Sequence, residues 1–321
     1  MIRRRLIAAL LLLGVTATAG AQSGTAVEGA LDFLLPVGAR ALAMGQTLTA
    51  ATGSDALWAN PALITHGPRE LALHMATNSS PLAETDASGA FVYPVHRVGA
   101  FALSVHYINY GQQGASGQTP GQIGSFVSTS TTLAATFAPT LTDRLSGGVT
   151  AKLLRIGFNC TGSCNRPDNV PQTAALDIGL AYLLTKDSTV TVGASVRNLG
   201  PKLQVNDSPQ SDPLPARANF GVAYTPRLAQ LPKEAKLRLG ADVISYVSGG
   251  TAPGFRLGGE LSWLDRYQAR AGYVATGPTG SGPTFGLGIA VGKLQIDFAQ
   301  MLSDLATTGS TPTFLSLRYL F

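Results

Sequence analysis

Cys160 and Cys164, the four histidines His66, His74, His96 and His106, and a set of charges at alternate positions are the groups with chemical potential in this chain. Three residues separate the two thiols, which suits a small disulfide closing a loop tip. A metal would need further ligands, and no histidine stands near the cysteines in sequence. A redox pair would want two intervening residues on a thioredoxin-like frame. The histidines are scattered without metal-site spacing. Gly286, Gly288 and Gly292 loosely fit a dinucleotide loop, but they lie in an alternating strand with no helix after it, so the motif fails its context. No nucleophile elbow or phosphate loop occurs. The chain therefore reads as a non-enzyme, without metal or cofactor.

The charges are more informative. Asp177, Arg197, Arg217, Arg238, Asp242, Arg256, Glu260, Arg270, Asp297 and Arg318 all fall on the face of their strands opposite the apolar residues. Two roles are open: binding a plug or steering a solute, or pairing with one another to keep a wall rigid. Pairing is preferred, because a charge facing lipid would cost about 2–4 kcal/mol and must turn inward in any case. Arg40, nearer the N-terminus, is expected to pair with one of these acids.

The elements that must position these groups follow from composition. The chain has 321 residues, 45% apolar and only 13% charged, with 37 glycines. Disorder is excluded by that balance. High glycine with low charge suggests contact with lipid. Yet no stretch beyond the first twenty residues is apolar for long enough to cross a bilayer as a helix. A closed β-barrel satisfies both observations. Residues 1–21 have a basic start, an apolar run from Leu6 to Val15 and small residues at Ala19–Ala21, as in a cleaved signal peptide. Removing Arg3, Arg4 and Arg5 leaves 20 basic against 18 acidic residues, and a net charge of +2 gives no case for nucleic-acid binding.

From Arg69 onward the period is two. Fourteen strands are expected, near 69–78, 86–95, 98–109, 123–137, 143–158, 172–184, 188–199, 214–225, 234–247, 253–263, 266–276, 282–292, 293–301 and 312–321. Connections alternate between short turns and the long segments 111–122, 159–171 and 200–213, with the longer turn Pro226–Lys233 as an exception, as in an outer-membrane barrel with both termini periplasmic. Tyr107, Tyr110, Tyr246, Trp263, Tyr267 and Tyr273 fit interfacial girdles. Phe321, an aromatic closing an alternating strand, resembles the signal read by the barrel-assembly machinery. The expected fold is an all-β, 14-stranded antiparallel transmembrane barrel (69–321) in outer-membrane lipid. Its bore is too wide for side chains alone to fill, which leaves room for residues 22–68 as a helical plug. One helix is expected at Ala39–Met44, closed by Gly45, and a second from Ser54 or Asp55 to Asn60 before Pro61.

Two stretches of that plug, Phe33–Gly45 and Asp55-Ala-Leu-Trp-Ala-Asn-Pro-Ala62, resemble the N-terminal signature of PorV/PorQ-type outer-membrane proteins, which belong with the FadL-like barrels. The matching positions are Pro36, Gly38, Ala39, Arg40, Met44, Gly45, Asp55, Asn60, Pro61 and Ala62. The chain departs from the signature at Gln46 and Leu63, where glycine is expected, and at Ala59, where an aromatic is expected. The resemblance implies a luminal hatch and a type IX secretion role, in which the barrel mouth and long loops hold the C-terminal domain of a secreted protein beside the translocon. The alternative is a FadL-like channel for passive uptake of a hydrophobic small molecule such as a long-chain fatty acid. A fatty-acid channel should expose apolar outer loops. These loops are rich in Gly, Gln, Ser, Asn and Pro, which favours the secretion role.

Overall fold

In the computed structural model the alternating segments close into a single antiparallel barrel. The structure describes residues 28–79, 83–116, 122–163, 170–185, 187–204, 211–247, 253–275, 280–302 and 311–321, so the signal peptide 1–21 and Cys164 lie outside the described residues. The first half of the wall is β1 (Glu70–Thr77), β2 (Thr85–Val95), β3 (Gly99–Ser116), β4 (Gln122–Pro139), β5 (Leu145–Gly162), β6 (Gln172–Leu183) and β7 (Val190–Leu199). The second half is β8 (Arg217–Tyr224), β9 (Ala235–Tyr246), β10 (Gly254–Trp263), β11 (Tyr267–Val274), β12 (Gly282–Val291), β13 (Leu294–Met301) and β14 (Thr313–Leu320). Every strand pairs with its neighbour, and β1 closes on β14 with Glu70 opposite Leu320. No sheet edge remains, so backbone polar groups are satisfied without water.

The period of two explains the wall. Leu71, Leu73 and Met75 are exposed on the outside of β1, while Ala72, His74 and Ala76 are buried inside. The same partition holds around the barrel, with Tyr107, Trp263, Tyr267 and Tyr273 outside as a girdle requires. Phe321 also lies outside, edge-on to Phe91 and Tyr319. Tyr110 and Tyr246 depart from the girdle expectation: both turn into the lumen, where they meet Asp32 and Arg217.

Three strands run further than their sequence pattern indicates. β3 was expected to stop at 109, yet it continues to Ser116. Its register shifts between Asn109 and Gln112, where an extra residue forms a bulge and Gly111 has φ 68°. Such a bulge reverses the inside–outside phase of every later residue, which makes a continuing strand read as a loop. β4 is correspondingly longer, and β5 extends to Gly162. Segment 111–122 is therefore mostly strand, and 159–171 begins as one. The alternation of short and long connections is imperfect, since the β8–β9 connection 225–234 is longer than the β3–β4 connection 117–121; the turns 96–98, 264–266 and 292–293 mark one end, and the β7–β8 connection 200–216 marks the other, called here the mouth.

Residues 28–68 run down the lumen, from Glu28 beside Arg217 to His66 beside Ser146. They form a 3-10 turn at Leu31–Leu34, the five-residue helix α1 at Ala39–Ala43, and 3-10 turns at Ser54–Trp58 and Pro61–His66. Only α1 matches an expected α-helix. Segments this short are not stable helices alone, so the wall dictates their geometry. Neither Ser54 nor Asp55 caps the second turn; Gly53 holds that position, and the two side chains are used in tertiary contacts.

Some of the glycines have a role that composition does not reveal. Eight consecutive strands, β5 to β12, each place one glycine inward at plug level: Gly148, Gly179, Gly193, Gly221, Gly240, Gly258, Gly272 and Gly286. A Cβ at Gly193 would lie 1.8 Å from the Thr49 carbonyl, one at Gly179 2.0 Å from Asn60 Oδ1, and one at Gly258 2.1 Å from the Met44 carbonyl. These glycines let the plug backbone lie directly on the wall.

Candidate functional site

The lumen divides into two storeys. In the lower one, residues 36–66 form a hatch whose α1 packs on β11 to β14 and whose final turn packs on β3 to β6. Its signature residues make specific bonds. Gly38 precedes α1 with φ 95°, where a Cβ would stand 2.6 Å from Asp55 Oδ1. The Ala39 amide donates to Ser316 Oγ at 2.7 Å. Met44 ends α1, and Gly45 follows at φ 60° against β10 and β11. Gln46 occupies the same left-handed region at φ 61°, which accounts for glycine being expected there. Pro36 and Leu63 are buried in the packing.

Asn60 joins three pieces of chain. Its Oδ1 accepts from the Ala62 amide, capping the turn that Pro61 opens, while Nδ2 donates to the Thr49 carbonyl at 2.8 Å and the Leu180 carbonyl at 3.0 Å. Proline suits the first helical position because its missing N–H has no partner there. The Ala62 carbonyl accepts from Ser146 Oγ, and the Ala59 carbonyl from Ser195 Oγ. The Asn-Pro-Ala signature is thus a corner stitched to β5, β6 and β7.

The inward charges form a buried chain of alternating sign. Glu260 meets Arg40 at 3.0 Å, Arg270 at 2.6 Å and Arg238 at 2.9 Å. Arg270 continues to Asp297 at 2.7 Å, Asp297 to Arg318 at 2.9 Å, and Arg318 to Glu70 at 3.7 Å. Glu70 returns to the hatch by accepting from Ser54 Oγ. The pairing expected for Arg40 is present, and Arg40 also donates to the Thr52 carbonyl. Burial opposes its charge, but Glu260 and Asp55 outweigh burial and hold the guanidinium above its usual pKa. Asp55 lies 3.9 Å from both Arg40 and His74, without a hydrogen-bond partner on either oxygen among the described residues. Asp242 accepts from both the Thr49 amide and its hydroxyl.

The upper storey is open. A cavity of about 880 Å³ lies under the mouth. Apolar groups from wall and plug line it, among them Leu31, Leu34, Phe126, Ile156, Phe158 and Ile244, with Arg197, Arg217 and Arg256 interspersed. The segment 28–35, a strap over the hatch, crosses this cavity. Glu28 accepts a two-point pair from Arg217 at 2.8 and 2.6 Å, and that guanidinium stacks 3.9 Å from the Tyr246 ring centroid. Tyr110 donates to Asp32, Arg197 to the Phe33 carbonyl, and Lys152 lies 4.7 Å over the Phe33 ring. Leu203 and Leu214 of the β7–β8 connection fold onto Ala30 and Phe33. Below the strap is a much smaller void of about 20 Å³, lined by Trp58, His106 and Asp177.

Asp177 anchors this side, taking Lys152 at 2.7 Å and the Asn198 amide at 2.8 Å. All the sequence-identified charges do face the lumen, but they fall into separate groups: Glu260, Arg270, Asp297, Arg318 and Arg238 lash the hatch, whereas Arg197, Arg217 and Arg256 face the cavity. Lys152 and Glu70 lie on the same inward parity and are legible from it. Glu28, Asp32 and Tyr110 carry no such signal, lying in coil, in the 3-10 turn Leu31–Leu34 and at the bulge. Cys160, at the top of β5, is disulfide-bonded. Among the described residues no cluster of three potential metal ligands occurs.

No protein-family model and no curated protein matches the chain. Solved structures do. The Ralstonia pickettii toluene transporter TbuX superposes with a TM-score of 0.60 at 16% identity, over 90% of this chain and 99% of that one. The P. putida toluene transporter TodX gives 0.56 at 15% identity over 90% and 99%. A Pseudomonas aeruginosa FadL homologue gives 0.54 at 12% identity over the same shares. At these identities the likeness concerns the fold: the chain is a closed 14-stranded barrel of the kind seen in FadL-like outer-membrane transporters.

Proposed function

We propose that the protein is an outer-membrane channel for passive uptake of small hydrophobic molecules. The observation that carries this reading is the large apolar cavity at the mouth, floored by a hatch and studded with three arginines. Ligand sites of this size are concave, mostly apolar and equipped with a few polar groups that orient the guest. Apolar area removed from water contributes about 25 cal/mol per Å². Arg197, which lies 3.9 Å from Asp177, and Arg256 line this cavity, and their guanidinium groups suit a guest's polar end, such as a carboxylate. Support also comes from the toluene transporters that share the fold.

The apolar surface expected on outer loops lies instead inside the mouth, on strands and strap, so loop composition was the wrong place to look. The working surface assigned to a type IX secretion role shrinks for the same reason. Part of 111–122 and of 159–171 is barrel wall, and part of 200–213 is folded inward. That role, with its translocon and cargo domains, stands second, on the Pro36–Ala62 resemblance alone.

Uptake of radiolabelled toluene and of decanoate into proteoliposomes tests the reading. The wild-type chain is expected to accelerate entry of at least one of them, and Phe158→Asp in the cavity wall to abolish the gain. Entry no faster than into empty vesicles would defeat the channel reading. Loss of surface-protein export on gene deletion, with uptake intact, would promote the secretion role.

A further inference from the structure

The outer wall carries a second hollow, remote from the lumen. One cross-strand row climbs from Leu71 on β1 through Leu103 and Ala151 to Leu199 on β7, each residue directly opposite the next strand's member. Seven strands at about 4.8 Å spacing give a length of about 29 Å. Alanines floor the middle of the row, and Leu103, Leu133 and Leu153 stand up as its ridges. The open groove has a volume of about 910 Å³.

A caged cation stands at its foot, two residues before Leu71. The Arg69 guanidinium lies 4.5 Å from the ring centroid of Phe321, 5.0 Å from that of Tyr93 and 5.7 Å from that of Phe91. Phe91 also lines the lower end of the hollow. Arg69 is exposed and, among the described residues, forms no ion pair, unlike the arginines of the hatch network. Three rings surround the planar fork. It sits where β1 begins and β14 ends, at the short-turn end of the barrel.

We propose that this groove binds one phospholipid, its phosphate on Arg69 and an acyl chain along the Ala135–Ala151 floor. Charge complementarity selects the occupant: a guanidinium with unused donors suits a phosphate, and the apolar trough leading from it suits a hydrocarbon chain. A plain lipid-facing wall needs neither the trough nor the cage. The site faces away from the lumen and is independent of the channel reading.

Native mass spectrometry of the full-length protein, extracted in mild detergent, tests this. One phospholipid mass should remain per chain. Arg69→Ala and Ala151→Phe should each lower the retained fraction at least tenfold, and Arg69→Lys, which keeps charge without the fork, should fall between. Uptake in the assay above should not change. Arg69 also sits at the barrel seam, so if Arg69→Ala does not fold, Ala151→Phe decides alone. A wild-type spectrum without phospholipid, one retaining only fatty acid, a dimer of bare chains, or undiminished retention in Ala151→Phe would each overturn the assignment.

Discussion

The hatch and the strap are consecutive pieces of one segment, yet the barrel treats them in opposite ways. Residues 36–66 lie flush on the wall, their backbone against inward glycines and their charges lashed into the network running from Arg238 to Glu70. Residues 28–35 touch the wall through a few side chains, chiefly Glu28 and Asp32, and leave a large cavity around them. Removing one partner of a buried charge pair costs about 3–5 kcal/mol, whereas partly exposed contacts are worth far less. The difference teaches that the strap yields first: entry of a guest into the cavity of the proposed channel calls for movement of the strap, and onward passage calls for the more firmly held hatch to shift as well.

The largest effect should come from filling a glycine niche. Gly258→Val places carbon about where the Met44 carbonyl now lies, and the hatch cannot seat. The expected result is loss of the heat-resistant folded band on gels, or a folded barrel that admits large antibiotics. Gly259→Ala, one residue along and facing outward with only ordinary contacts nearby, should leave both readouts unchanged. A silent Gly258→Val would remove the close-approach argument.

Next is Asp297→Ala, which removes the acid shared by Arg270 and Arg318 and leaves them with Glu260 and the more distant Glu70 in the lower lumen. A loss of about 3–5 kcal/mol is expected in the urea unfolding of the barrel in vesicles. A change under 1 kcal/mol would mean the network is wet and loosely coupled. Glu28→Gln weakens only the strap, by about 1–2 kcal/mol for a charged hydrogen bond discounted for partial exposure. Hydrogen exchange should quicken in 28–35 and stay slow in 36–66; equal quickening would erase the distinction between the two. Arg227→Ala, which breaks an exposed pair with Asp187, should leave unfolding unaltered.

Much of the barrel was readable because each strand residue faces either lipid or lumen, and one alternating run reveals both faces. The fourteen strands and their order follow from that. The end of β3 was misread because the bulge at Asn109–Gln112 inverts the phase, and a broken alternation looks like a loop. The role of the glycines of β5 to β12 is not legible in sequence, since a missing Cβ says nothing about what approaches it. The inward charges were found by parity, but parity cannot separate Arg270 in the hatch network from Arg217 at the cavity. The apolar cavity lining is not legible either, because Phe126, Phe158 and Ile244 read in sequence as ordinary strand residues.

From sequence alone come the closed all-β wall, the inward charges and a short N-terminal segment needing a host surface, because side-chain alternation is a local property that the solvent on each face enforces. Tertiary structure decided the rest: which stretch is bolted down, which spans an open space, and where that space lies. The reason is distance along the chain. The contacts that settle these matters, Ala39 with Ser316, Asn60 with Leu180 and Glu28 with Arg217, join residues more than a hundred positions apart, and no local pattern records which of them will meet.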